Sequence, residues 1–380
     1  MKNARVMQTR GYNFALVGCG RISGKHAQAL ESMVPAGSRL VAVCDIDFDK
    51  ALALSASTGT PAYRCAHQML KAHPEIDVIN ILSESGLHAR HCIELSAYRK
   101  HMVVEKPMAL TVADADAMIK ACEEAHVRLF VVKQNRYNPA VKALMQAIKE
   151  QRFGRIFMVT ARVRWARHWQ YYNQDAWRGT YELDGGVFAN QACHYIDLIQ
   201  TIMGVPDQVF AKGMTVTAPI EAEDSGIAIF SKGNAIGTLE ATTAVRPGNL
   251  EGSLTVLGEH GSVELAGVAL NEIRIWKFQE PRDTDHGIEQ RTREAVDSVY
   301  GSGHTDYLVD VVNTLRGEES AVVEGMEGRK TVEILSALYE SLATGREIDV
   351  AASHPNTRLG RRLAAKTGLS ATSQVALEHH

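Results

Sequence analysis

The 380-residue sequence carries almost no charge imbalance, with 41 lysines and arginines against 44 aspartates and glutamates and a formal net charge of -3. So even a balance builds no long-range field, and neither a nucleic acid nor a membrane is expected as partner. No apolar run approaches the ~20 residues of a membrane span. The opening MKNARVMQTRGYN also lacks the apolar centre of a signal peptide, so a cytoplasmic location is expected. Cysteine is scarce and unpatterned. Cys19, Cys44, Cys65, Cys92, Cys122 and Cys193 show no CxxC spacing and fall mostly in apolar segments, which favours reduced, buried thiols over disulfides or a zinc site. His88 and His91 could share a helix face, but no carboxylate or thiol completes a ligand set, and no metal is expected. Internal repeats and low-complexity blocks are absent. The terminal LEHH reads as a tag remnant.

What is present is an ordinary globular composition, 45% hydrophobic and 22% charged, long enough for two domains. From Tyr12 to about Val132, short apolar runs (NFALVG, LVAVCD, VINIL, MVVEK, RLFVVK) alternate with amphipathic stretches. Strands without polar alternation are covered on both faces, which predicts an N-terminal doubly wound parallel sheet, a Rossmann domain, over residues 1–133. After a helix in AVKALMQAIKE, residues 156–278 alternate polar and apolar positions between turn signals such as SKGN and GEHG. This predicts a large, mainly antiparallel sheet with one solvated or ligand-facing side, in a second, α+β domain over residues 134–350. One helix over 187–203 is expected to interrupt it, and helices are expected over 304–316 and 326–344. Residues 351–380 read as a polar, peripheral tail.

Three clusters carry chemistry. In FALVGCGRISGKHAQAL, Gly18 and Gly20 stand between a strand and a helix, where missing β-carbons let the backbone approach a pyrophosphate. The next apolar run ends in Asp45, able to accept from ribose hydroxyls, with no basic residue directly after it for a 2′-phosphate. NAD is therefore expected over NADP; a tight turn without a ligand is the plainer alternative. Second, HMVVEKPMAL ends a buried run on Glu105, Lys106 and Pro107. Pro107 disfavours helical backbone at Lys106, so that side chain is aimed from the crest of the sheet. A Glu105–Lys106 pair that only decorates a loop is the alternative. Thr111 with Asp114 reads as a capping box. In GGVFANQACHYIDLIQTIMG, Phe188, Ala192, Tyr195, Ile199 and Ile202 form one helical stripe and Asn190, His194, Asp197 and Thr201 another, a ligand-facing or a solvated face. Third, Arg162, Arg164, Arg167, Arg178, Tyr171 and Tyr172 gather with three tryptophans in TARVRWARHWQYYNQDAWRGTYELDGG. Arginine forks beside aromatic planes suit phosphate, carboxylate and base recognition, and equally an oligomer interface.

With GCGRISGKH, VVEKP and the GG…H helix in this order, residues 12–350 resemble the Gfo/Idh/MocA family of nicotinamide-dependent oxidoreductases. The strings VVKQNRYNPAV, YYNQDAWRGTYELDGGVFANQACHYIDLI and TTAVRPGNLEGSLTVLGEHGSVEL are similar to its UDP-N-acetyl-2-amino-2-deoxyglucuronate 3-dehydrogenases of surface-polysaccharide biosynthesis. The resemblance implies an NAD-dependent oxidation of the 3-hydroxyl of a UDP-N-acetylglucosaminuronate-type nucleotide sugar by a homo-oligomer, a tetramer by preference, with residues 134–350 as the substrate-binding and oligomerisation domain. Its catalytic residues would be Lys106, His194 and Asn190. Its cofactor contacts would be Gly18, Gly20, Arg21, Ile22, Asp45, Ser83, His88, Glu105, Lys106, Asn135, Trp177 and Arg178, and its substrate contacts Lys106, Arg164, Arg167, Tyr172, Gln191 and His194. Two departures stand out. Many relatives have aspartate where this chain has Asn190, which leaves the proton to Lys106 and His194, and many have Thr-Pro where it has Ser83-Glu84. A family enzyme acting on a free sugar, an inositol or another nucleotide-sugar is the nearest alternative, and a catalytically silent NAD-binding sensor a more distant one.

Overall fold

The computed structural model describes residues 10–295, 298–318, 320 and 322–362; the N-terminal nine residues and the LEHH end lie outside it. Strands β1 (Asn13–Val17), β2 (Arg39–Cys44), β3 (Ala62–Tyr63), β4 (Val78–Ile81), β5 (His101–Val104) and β6 (Leu129–Val131) alternate with helices α1 (Ser23–Ser32), α2 (Phe48–Thr58), α3 (Ala66–Ala72), α4 (His88–Ser96) and α5 (Val112–Glu124). The strands pair in parallel in the order β3-β2-β1-β4-β5-β6. This is the doubly wound order whose direction reverses between β1 and β4, the place where such sheets bind ligands. β4 and β6 are buried at every position, as the unbroken apolar runs require. Thr111 Oγ1 accepts the Asp114 N–H at 3.1 Å and caps α5 as expected.

Helix α6 (Pro139–Lys149) leads into the second layer: β7 (Ile156–Arg164), α7 (Trp169–Asn173), α8 (Cys193–Met203), β8 (Gln208–Met214), β9 (Ser225–Lys232), β10 (Ala235–Thr242), β11 (Glu251–Gly258), β12 (Gly261–Ala266), β13 (Glu272–Phe278), α9 (Ile288–Arg291), α10 (His304–Leu315), α11 (Gly325–Thr344) and β14 (Ile348–Asp349). Eight strands form one sheet, β13-β12-β11-β7-β10-β9-β8-β14, antiparallel except where β10 runs beside β7. Its inner face packs on α8 and α11 around Phe188, Tyr195, Phe230 and Leu338. Its outer face keeps the period of two: Phe210, Met214, Ile227, Ile229, Ile236 and Met158 stand exposed on it.

Three expectations need correction. The helix placed over 187–203 begins only at Cys193; residues 187–191 form turns, because Gly185 takes φ +82° and Ala192 N–H bonds Val187 O, five residues back, in place of an i−4 carbonyl. The tail is not peripheral from the start, since Leu359 is fully buried and Gly360 N–H bonds Tyr181 O. Finally, α10 follows the second sheet in sequence but buries Tyr307, Leu308, Val311 and Val312 against Phe14, Leu16 and Leu30 of the first layer. Among the described residues, no helix is long and apolar enough to cross a membrane.

Candidate functional site

A cavity of about 750 Å³ lies along the carboxyl ends of the parallel strands. Gly18 and Gly20 after β1, Asp45 after β2, Ser83 after β4, Glu105 and Lys106 after β5, and Gln134 after β6 all line it. Its far wall comes from the second layer: Tyr171, Asp175, Trp177, Arg178 and Asn190. Gly18 has φ +103°, and a β-carbon there would lie 2.6 Å from the carbonyl carbon of Leu82. A β-carbon on Gly20 would meet nothing within 4 Å, so the space above the turn at the head of α1 is open to a pyrophosphate. Asp45 accepts the Cys19 N–H at 2.7 Å and the Asp47 N–H at 2.8 Å, which fixes its carboxylate at the cavity rim where a ribose would present its hydroxyls. The residues present therefore fit NAD, with Arg21 and Ile22 beside them on the wall.

Lys106 Nζ donates to the Asn190 carbonyl at 3.0 Å and lies 3.5 Å from Asn190 Oδ1. Beneath it, Glu105 accepts the Lys106 N–H with one oxygen and contacts His26 Nε2 at 3.0 Å with the other, and His26 Nδ1 meets Asn80. Burial opposes ionisation of Glu105, but His26, His304 and Lys106 outweigh it and hold the carboxyl down at about 2. Glu105 is thus a fixed anion under the lysine, not loop decoration. His194 is buried, and its Nε2 contacts the Gln134 amide at 3.0 Å. Burial first, then the charges of Lys106 and Lys133, push its pKa well below the usual histidine value, so the ring is neutral. His194 therefore stands one hydrogen bond behind Gln134 on the wall, while Lys106 and Asn190 are on the wall itself.

Several expected contacts fall elsewhere. Arg164 is occupied by Glu240 at 2.7 Å and Glu251 at 3.1 Å on the outer face of the large sheet, away from the cavity wall. Arg167 packs its guanidinium over Trp165 and Tyr171. Tyr172 turns inward, its hydroxyl 2.8 Å from Thr243 Oγ1; the neighbouring Tyr171 lines the cavity and carries Arg21, Arg167 and Arg178 on its ring. Asn135 is buried off the wall, and Gln134 takes its place. Gln191 touches the Tyr171 hydroxyl at 3.5 Å. His88 lines the cavity and ties two loops, facing the carbonyls of Pro107 at 2.9 Å and Ser83 at 3.0 Å. Ser83 Oγ contacts His91 Nδ1 at 2.9 Å.

Sequence reasoning missed two buried acids behind the far wall, Asp184 and Glu223. Their signal was slight, a carboxylate inside ELDGG and inside EAEDS. Burial raises Glu223 to about 7, against hydrogen bonds from the Phe188 N–H and the Tyr339 hydroxyl. A carboxyl whose folded pKa is raised stabilises the fold at low pH and loses that contribution as pH rises through the folded value. Glu223→Gln is therefore expected to gain stability relative to wild type between about pH 5 and pH 8. Thermal midpoints at both pH values check this; a difference independent of pH would contradict it.

Residues 12–133 match the oxidoreductase family's NAD-binding Rossmann fold, and residues 145–350 match the oxidoreductase family's C-terminal alpha/beta domain. Among solved structures, the WlbA dehydrogenase from Bordetella pertussis, in complex with NADH and UDP-GlcNAcA, is 41% identical with a TM-score of 0.85, covering 90% of this chain and 99% of that one. The WlbA dehydrogenase from Chromobacterium violaceum, with the same two ligands, is 42% identical with a TM-score of 0.83, over 90% and 96%. Among curated proteins, the myo-inositol 2-dehydrogenase of Thermotoga maritima is 23% identical over 88% of this chain and 97% of its own length. The D-apiose dehydrogenase of Paraburkholderia graminis is 29% identical, and the match spans 58% of each chain. The paired domain matches, in this order and over this length, show that the chain belongs to the Gfo/Idh/MocA oxidoreductase family.

Proposed function

We propose that this protein is an NAD-dependent dehydrogenase that oxidises the 3-hydroxyl of a UDP-linked N-acetylglucosaminuronate, in the cytoplasm, for surface-polysaccharide biosynthesis. The observation that carries it is the 41–42% identity, over nine-tenths of the chain, to two dehydrogenases held with NADH and UDP-GlcNAcA. NAD, when bound, supplies the hydride acceptor. The chain's own residues must then take the hydroxyl proton. Lys106 meets that hydroxyl, since it lines the cavity and its Nζ is steered by Asn190. His194, neutral and behind Gln134, is the second proton-holding group. Gly18, Gly20, Asp45, Trp177 and Arg178 hold the cofactor, and Tyr171, with Gln191 against its hydroxyl, faces the sugar nucleotide.

The test is to follow NADH absorbance while offering NAD⁺ with UDP-sugars, free uronates and cyclitols, with and without 2-oxoglutarate. Turnover with the UDP-uronate is expected. Turnover with an inositol alone would replace the substrate, and silence across the panel would favour a sensor.

The same proposal includes a homo-tetramer assembled through the large sheet. Its support is the uncovered apolar row in which Phe210 pairs Ile229 across strands and Ile236 pairs Met158. Ile229→Asp is expected to lower the oligomer's mass by at least half in light scattering, since a charge desolvated at an apolar contact costs several kcal/mol. An unchanged mass would place the interface elsewhere.

A further inference from the structure

Asp184 is the last residue before the Gly185-Gly186 pair and is only 2% exposed. Both of its oxygens are used: Oδ2 accepts the Gly179 N–H at 2.7 Å, and Oδ1 accepts the Asn190 side-chain N–H at 2.6 Å. Gly179 directly follows Trp177 and Arg178 on the cavity wall, and Asn190 is on that wall and holds Lys106. One sealed carboxylate thus joins the cofactor side of the wall to the lysine.

A side-chain amide offers donors on one side and an acceptor on the other. With its NH₂ turned to Asp184, Asn190 must turn Oδ1 the opposite way, and that oxygen is the one 3.5 Å from Lys106 Nζ, next to the backbone oxygen at 3.0 Å. A reversed amide would aim donors at a donor. We propose that Asp184 is a positioning residue for the dehydrogenation: it sets the flip of the Asn190 amide and so the place of Lys106 Nζ, an inference that rests on the role proposed above for Lys106. The energetics agree with an acid kept for its orientation rather than for solvation. Burial raises Asp184 to about 6, and the Gly179 and Asn190 hydrogen bonds with the charges of Arg178 and Lys106 pull it the other way.

The test is the isosteric Asp184→Asn. The Gly179 N–H cannot turn, so the new amide keeps its oxygen there and presents NH₂ to Asn190, which has to flip. A fall in kcat of about tenfold to hundredfold is expected, with the Kd for NADH and the KM for the sugar within about threefold of wild type. Because Asp184 acts through Asn190, adding Asp184→Asn to Asn190→Ala should lower kcat by less than about twofold further. Wild-type kcat in Asp184→Asn, or losses that multiply in the double variant, would overturn the proposal. If Asp184→Asn does not fold, Asn190→Leu reads the same link while leaving the Gly179 bond in place, and full kcat there overturns it equally. Thermal midpoints of wild type, Asp184→Asn, Lys106→Met and their combination, all with NADH, need no sugar. Shifts that fail to add are expected, since they mark coupling through Asn190; additive shifts overturn the role of Asp184. A wild type inert to the UDP-uronate would instead overturn the substrate.

Discussion

Lys106→Met is expected to lower kcat by ~10²–10⁴-fold, the range that a positioned acid-base group supplies. Methionine keeps the length and apolar stem of the lysine, so the cavity keeps its shape and only the proton-carrying nitrogen is lost. The Kd for NADH should stay within about threefold of wild type, because an interaction made only as the hydroxyl loses its proton contributes to kcat and not to ground-state binding. Three features of the wall support so large an effect. Lys106 lines the cavity, its Nζ lies between the Asn190 carbonyl at 3.0 Å and Asn190 Oδ1 at 3.5 Å, and Glu105 underneath accepts the Lys106 backbone N–H. His194→Asn should cost less, since His194 reaches the wall only through Gln134. Stopped-flow NADH formation with the UDP-uronate measures both variants. A Lys106→Met enzyme at wild-type rate with normal NADH affinity would sink the assignment.

The parallel half of the fold was legible because its strands are buried on both faces, so runs such as VINIL appear as unbroken apolar stretches with nothing else to be. β3 escaped notice, since two residues, Ala62–Tyr63, carry no period. The helix over 187–203 was overextended for a related reason. The apolar stripe from Phe188 to Ile202 continues through turns and helix alike, because burial, which hydrophobicity reports, does not change at Cys193. Of the two readings of the polar stripe, the solvated one fails at His194 and Asp197, which are buried and find their partners, Gln134 and Arg136, in other elements.

The site divides along the same line. Gly18, Gly20, Asp45 and Lys106, which line the cavity, could be gathered at one end of the sheet because their positions follow from the ends of recognisable strands. Arg164 was not, since the carboxylates that occupy it, Glu240 and Glu251, are 76 and 87 residues away. Tyr171 and Tyr172 differ only in phase on the five-residue α7, too short for any period to say which one turns inward. Asp184 and Glu223 were invisible for the deepest reason, that a buried acid has no sequence signature apart from the donors that surround it. The tail shows the same limit, where Leu359 is one apolar residue in a polar stretch and its burial depends on a groove formed by distant chain.

Asp197→Asn is expected to lower stability by ~3–5 kcal/mol, the cost of stripping one partner from a buried ion cluster. Asp197 on α8 accepts two bonds from Arg136, both at 2.7 Å, and stands 3.2 Å from Lys133 Nζ. Lys133 is 1% exposed at its side chain and also donates to Thr331 of α11 at 2.9 Å. Both cations follow β6 closely, so the cluster fastens the nucleotide-binding layer to the helix that carries His194. The asparagine fits the same space but leaves an ammonium and a guanidinium in low dielectric with too little counter-charge. The thermal midpoint should fall by about 4–6 °C for a chain of this size. Burial opposes ionisation of Asp197, and Lys133 and Arg136 more than offset it, which holds the carboxyl well below its ordinary 3.8. A depressed acid contributes stability above its unfolded value and loses it as pH falls through the folded one. The gap between wild type and Asp197→Asn should therefore stay constant from about pH 8 to about pH 5 and narrow only in stronger acid. His194 adds a functional readout, since Asp197 is one of the two charges that raise its pKa against Lys106 and Lys133. Losing it should push His194 further down, weakening the proton-holding role proposed for it even in the fraction that folds. Denaturant unfolding at several pH values measures the first effect; a midpoint unmoved at neutral pH would mean that Arg136 and Lys133 find other counter-charges, with Glu327, 3.5 Å from Arg136, the nearest available.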